Sequence, residues 1–289
     1  MGAVNDTGVC RGLAVEHRGS VVAVEDGVLW MVKDVPRASS GSVVHGGFEP
    51  SDYLTERKWA VSIDGTRVPI SILYKKNLVK FDGFNPLFMY GYGSYGISIV
   101  PGFEAWAFTL VDRGFIYAIA HIRGGEEMGI KWYEDGELLK KRNTFIDFIA
   151  CAEYLIENKY GSKEKLCING GVGNGGLLIG DVLNMCPDLF KAAVLDYPFV
   201  DVVTSLLDPT ISSTTSEWEE LGDPRKEEYY HYIKSYSPVD NVSICIDFGK
   251  LIRNSSRQST LCSRSKHAEA SCLCEEFHLC SISLCVGRP

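Results

Sequence analysis

Cys167-Ile168-Asn169-Gly170-Gly171-Val172-Gly173-Asn174-Gly175-Gly176-Leu177-Leu178-Ile179-Gly180 decides how this chain is read. An apolar run enters a glycine-dense turn and an apolar helical pattern leaves it, the sequence form of a nucleophile elbow. Such a turn needs glycine because its backbone is strained and its strand and helix leave no room for a Cβ. At the apex, where a serine would stand, the chain has Val172-Gly173. Neither side chain attacks a carbonyl, so the sequence has the frame of a nucleophile site without the nucleophile.

Moving outward, residues 165–168 read as the strand entering the turn, 175–185 as the helix after it, and 191–195 as the next strand. Upstream, Thr144 is placed to cap a helix running through Phe148 and Cys151 to Leu155. Residues 86–90 and 115–120 read as strands around a helix-like stretch at 103–112. Residues 57–63 and 68–74 flank Asp64-Gly65, a hairpin signal. Strands alternating with helices, the strands continuously apolar, argue for a mostly parallel sheet covered on both faces. Near the N-terminus, residues 20–24 and 28–32 form a second hairpin, too small to be stable alone. After Val242 serine, cysteine and isolated basic residues dominate with no sustained period, which predicts poor order over 243–289.

Composition narrows the function. The chain has 289 residues, 45% of them hydrophobic, enough for a sizeable core. A net charge of −8 argues against nucleic acid or a membrane surface as partner. No apolar run reaches membrane-spanning length and no signal peptide is visible, so a cytoplasmic location is expected. Six of the ten cysteines fall in the last 45 residues, near His267 and His278. The one-residue gap in Cys272-Leu273-Cys274 departs from common zinc spacings, and no metal is expected.

The ordered motifs Tyr90-Gly91-Tyr92-Gly93-Ser94-Tyr95-Gly96, Asp112-Arg113-Gly114-Phe115, Ala120-His121-Ile122-Arg123-Gly124-Gly125, Lys140-Lys141-Arg142-Asn143-Thr144-Phe145, Thr214-Thr215-Ser216-Glu217-Trp218-Glu219-Glu220 and Tyr236-Ser237-Pro238-Val239-Asp240-Asn241-Val242, together with the elbow, carry a resemblance. Residues 53–242 resemble the catalytic domain of the prolyl oligopeptidase family of serine peptidases, most closely its oligopeptidase B branch. The resemblance implies an α/β fold: an α/β-hydrolase domain, here truncated, with residues 1–50 as the remnant of a β-propeller and 243–289 as a divergent tail. It implies cleavage of short peptides after lysine or arginine by a Ser-His-Asp triad, with no cofactor. It also implies a turn one residue longer than the family's, and an oxyanion site made by the Tyr92 hydroxyl and the backbone N–H near Asn174. Glu217 and Glu219 match the acidic pair that holds a basic side chain. The triad aspartate and histidine should follow Val242, where no matching segment occurs. His267 and His278 stand in no matching context, and His121 belongs to a strand end.

The expected outcome is a catalytically inactive peptidase relative. Two alternatives are a non-catalytic module that binds basic oligopeptides through Glu217 and Glu219, and a functionless truncated product. With six strands recognisable and the last two missing, the strand at 191–195 should present a bare edge that a partner or the tail would cover. A rival reading takes Gly171-Val172-Gly173-Asn174-Gly175-Gly176 as a G-x-G-x-x-G nucleotide site, with Asp196 as the ribose-binding acid.

Overall fold

The structure is a computed structural model. It describes residues 14–17, 20–25, 28–32, 49–211, 214–242 and 251–254. The six C-terminal cysteines, His267 and His278 lie outside the described residues.

The hairpin expected near the N-terminus is present and larger than expected. Strands β1 (Ala14–His17), β2 (Ser20–Glu25) and β3 (Val28–Val32) form a three-stranded antiparallel sheet in that order.

The main sheet has seven strands. They are β4 (Tyr53–Val61), β5 (Arg67–Lys75), β6 (Leu87–Tyr90), β7 (Ile116–Ala120), β8 (Leu166–Gly173), β9 (Ala192–Pro198) and β10 (Leu251–Asn254), in spatial order β10-β9-β8-β6-β7-β5-β4. Strands β10, β9, β8, β6 and β7 are parallel, and the β4–β5 hairpin adds antiparallel to β7. The bare edge expected beside β9 is occupied: Leu251–Asn254 pairs in parallel with residues 193–196. Four residues satisfy the β9 backbone on that side, a segment too short for its periodicity to stand out in sequence.

Helices α1 (Ala105–Val111), α3 (Arg142–Glu157) and α4 (Asn174–Met185) pack on the sheet. Short α2 (Ile130–Glu134) follows β7, and α5 (Val202–Leu207), α6 (Thr214–Leu221) and α7 (Glu227–Lys234) follow β9. The larger core lies under α3 and α4, where Phe145, Phe148 and Leu155 meet Leu177, Leu178 and Val182, all fully buried. Thr144 does not cap α3. The cap position is Lys141, and Thr144 lies in the first turn with its hydroxyl donating to the Arg123 carbonyl at 2.8 Å. That carbonyl outcompetes the helix's own N–H groups for the side chain. Arg123 in turn grips the fully buried Asp147 of α3 with two hydrogen bonds of 2.8 and 2.7 Å and reaches Asp64 of the hairpin at 2.6 Å. The loop after β7 is thereby fixed to α3 and to β4–β5 through a bidentate pair.

Candidate functional site

Strand β8 pairs with β9 through Asn169↔Val194 and Val172↔Asp196, so three residue steps on β8 face two on β9. The next pair, Gly173↔Pro198, sets one step on β8 against two on β9, so β8 bulges first, β9 follows, and the register is regained at Gly173. Gly171 supplies the left-handed backbone this needs (φ 77°), and its N–H is held by the Asn169 side chain at 2.8 Å. The elbow itself is formed by Gly173, with φ 67° and ψ −117°, directly before α4. This is a region that side-chain-bearing residues enter only under strain. A Cβ built on Gly173 would meet nothing within 4 Å. Gly173 thus stands at the apex of the turn, and Val172 beside it is exposed.

Two close approaches explain the surrounding glycines. A Cβ on Gly175 would lie 1.6 Å from the Gly170 carbonyl oxygen, and one on Gly176 would lie 2.3 Å from Pro198 Cα. The start of α4 is pressed backbone to backbone against β8 and β9, which fixes where its N–H groups point.

The start of α4 borders a pocket of about 190 Å³. Gly173, Asn174, Tyr95 and Glu217 line it, and Phe199 and Leu206 add apolar surface. The Tyr95 hydroxyl donates to both Glu217 oxygens, at 2.7 and 2.8 Å. Burial pushes the Glu217 carboxyl above its usual range, Tyr95 opposes that, and the nearby charge of Glu220 adds to it. The Asn174 amide stands close enough to Glu217 to ease its charge without closing a hydrogen bond.

The two residues predicted as an acidic pair are placed apart. Glu217 lines the pocket, whereas Glu219 is exposed and outside it. On a helix two residues are separated by about 200° and three by about 60° net. The carboxylate beside Glu217 is therefore Glu220, which the sequence reading left out. Glu220 is 2% exposed, and it pairs with Lys141 (1% exposed) at 2.8 Å. Its second oxygen accepts the Tyr95 N–H at 3.1 Å. Lys141 also donates to the Gly93 carbonyl and the Ser94 hydroxyl, at 2.9 and 2.6 Å. Burial lowers the Lys141 pKa, with Glu220 opposing. This buried cluster locks the glycine loop onto α6, with Tyr95 held at φ 58° and aimed at Glu217. The crowding of charged residues around α6 hid Glu220, because carboxylate spacing alone does not say which one turns inward.

Tyr92 is half-buried on the same loop, its ring tilted against Tyr95 at 6.3 Å between centroids. Burial, then Tyr90, Glu217 and Glu220, push its hydroxyl up to about 12, so it is a donor at neutral pH. It does not line the pocket. Asp196 pairs with Val172 on β9 and faces Tyr90, whose hydroxyl it helps raise. His121 is buried after β7, its Nε2 2.8 Å from the Ser71 hydroxyl and its Nδ1 3.6 Å from Glu127, away from the pocket. Among the described residues no group of three metal-ligating side chains occurs, and no helix is long and apolar enough to cross a membrane.

Residues 101–261 match the family model described as the prolyl oligopeptidase family. The chain is 49% identical over 197 residues to dipeptidyl aminopeptidase BI of Pseudoxanthomonas mexicana, covering 68% of this chain and 27% of that protein. It is 48% identical over 199 residues to protease 2 of Moraxella lacunata, covering 69% and 29%. Among solved structures it resembles oligopeptidase B from Trypanosoma brucei with covalently bound antipain, with a TM-score of 0.66, 52% identity, and 68% of this chain and 28% of that one covered. It also resembles oligopeptidase B from Leishmania major, with a TM-score of 0.68, 47% identity, and 77% and 30% covered. The chain spans less than a third of the length of each of these relatives.

Proposed function

Because this chain belongs to the prolyl oligopeptidase family, we propose that it holds oligopeptides by a lysine or arginine side chain in the Glu217 pocket and does not cleave them. The observation that carries this reading is Gly173. The elbow has the strained geometry that would expose a nucleophile, with open space above it, and no side chain to fill that space. Acyl transfer by a serine peptidase needs the hydroxyl, an imidazole to take its proton and an acid to orient the imidazole. Ser205 and Thr214 bring hydroxyls to the pocket, but the Thr214 hydroxyl is committed to the Ser205 and Asp208 carbonyls at 3.1 and 3.0 Å. Neither His121 nor His231 lines the pocket.

Recognition is supported where catalysis is not. Glu217 supplies a half-buried carboxylate fixed by Tyr95, and a guanidinium or ammonium there would gain a charge-assisted hydrogen bond. The pocket is smaller than the ~300 Å³ at which drug-sized ligand sites begin, a size suited to a single side chain. By the same reading, the three-stranded sheet of β1–β3 belongs to a propeller domain.

The test pairs turnover with binding. With a chromogenic arginine substrate and a fluorophosphonate label, the expected result is neither product nor labelled protein. Calorimetry with an arginine-bearing peptide should give saturable heat that is lost in Glu217→Gln and kept in Glu219→Gln. Labelling abolished by heat would overturn the non-hydrolytic reading. Equal binding by wild type and Glu217→Gln would overturn the assignment of the pocket.

A further inference from the structure

We infer that this pocket reads a free C-terminal carboxylate together with the basic side chain, so that its ligand is a peptide ending in arginine or lysine. The inference rests on the assignment of Glu217 above and adds a second recognition element to it.

The first observation is the start of α4. A helix leaves its first N–H groups without intrahelical partners and carries a partial positive charge at that end. Helix α4 has twelve residues and begins at the pocket wall, its first residues held by the backbone packing of Gly175 and Gly176. The second observation is independent. The Asn174 side chain is 2% exposed, lines the same pocket, and neither its Nδ2 nor its Oδ1 has a hydrogen-bond partner. A buried amide left without partners costs free energy that a ligand able to pair with it returns. The third is Gly173. The volume a nucleophile's side chain would occupy is empty, since a Cβ there meets nothing within 4 Å.

Together these put an anion site at the start of α4 in the same pocket as Glu217. A carboxylate oxygen seated over Gly173 would take the N–H groups of α4 and the Asn174 amide. The side chain of the same residue would carry its cation to Glu217. A peptide that continues past the basic residue puts a neutral amide over Gly173 and gains less from a helix end that favours negative charge. The missing hydroxyl thus changes which peptides fit: the site holds ends rather than interior bonds.

The experiment is calorimetric titration of the full chain with N-acetylarginine and with N-acetylargininamide, which share the side chain and differ in the terminal charge. The expected result is at least tenfold tighter binding of the acid, with the difference reduced in Asn174→Ala and both ligands weakened in Glu217→Gln. Equal affinities for acid and amide overturn this inference and leave the Glu217 assignment standing. Binding of neither ligand overturns both. Tighter binding of N-acetylnorleucine than of N-acetylarginine overturns both as well, because the pocket would then be selecting apolar bulk.

Discussion

Lys141 and Glu220 form an ion pair of 2.8 Å with both side chains almost wholly removed from water, and the same Glu220 holds the backbone N–H of Tyr95 while Lys141 holds the Gly93 carbonyl of its loop. Breaking such a pair by removing one partner leaves an uncompensated buried charge, at a cost of about 3–5 kcal/mol. Lys141→Met should therefore lower the unfolding free energy by that amount in denaturant titration. Lys141→Met combined with Glu220→Leu should recover part of the loss. The double variant should still bind arginine ligands poorly, because Tyr95 loses its anchor.

The Glu217 carboxyl, raised by burial, gives opposite signs for binding and for stability. Binding a cation needs the ionised form, so affinity should fall as pH drops through a midpoint above the ordinary value of 4.5. Folding favours the protonated form, so the residue's contribution to stability is greatest at acid pH and is lost as pH rises through the folded pKa. Tyr95→Phe removes the hydrogen bond that favours the charge, and should move the binding midpoint to higher pH. A pH series of calorimetric titrations on both proteins measures this.

Asp181 is 2% exposed on α4, and burial pushes its carboxyl up to about 7. Its Oδ2 and the Tyr236 hydroxyl are both buried without a hydrogen-bond partner. A folded-state pKa above the unfolded value means that the native state binds the extra proton between about 4 and 7. Stability from this group is then full at the acid end of that window and declines toward neutrality. The total is several kcal/mol at ~1.4 kcal/mol per unit. Melting curves at pH 5 and 8 should show the decline in wild type, and a flatter profile with a higher neutral-pH melting temperature in Asp181→Asn.

The glycines of the elbow should respond to alanine unequally. At Gly173 the only penalty is the backbone conformation, roughly 1–3 kcal/mol, because a Cβ there meets open space. At Gly175 a Cβ would sit 1.6 Å from the Gly170 carbonyl oxygen, so α4 must lift off β8. Gly173→Ala should fold with a modest shift in denaturation midpoint. Gly175→Ala should lose the cooperative transition or lie well beyond that range.

Much of the fold was legible because its signals are local. The β4–β5 hairpin announces itself by Asp64-Gly65 between alternating runs, and α3 and α4 by helically spaced apolar residues. What escaped depended on tertiary partners. Strand β10 exists through its pairing with β9 rather than through its own pattern. Thr144 left the cap for the Arg123 carbonyl. At the site, the glycine run revealed the elbow but not the paired register shifts beside it, and the acidic run revealed Glu217 but not that Glu220 is the buried carboxylate near it while Glu219 is exposed. Helical phase would have pointed to Glu220, had the boundaries of α6 been known.

The bulge between Asn169 and Val172 has a consequence beyond the strand that carries it. An added residue placed inside α4 would have rotated everything after it by about 100°, turning Leu177, Leu178 and Val182 away from α3 and dissolving the larger core. The irregularity lies instead in the strand pair, where the shift at Gly173↔Pro198 cancels it and leaves the phase of the helix untouched. Disturbance is therefore contained at this point in the chain: two neighbouring strands take up the irregularity between them, and the helix that follows still seats its apolar face on α3.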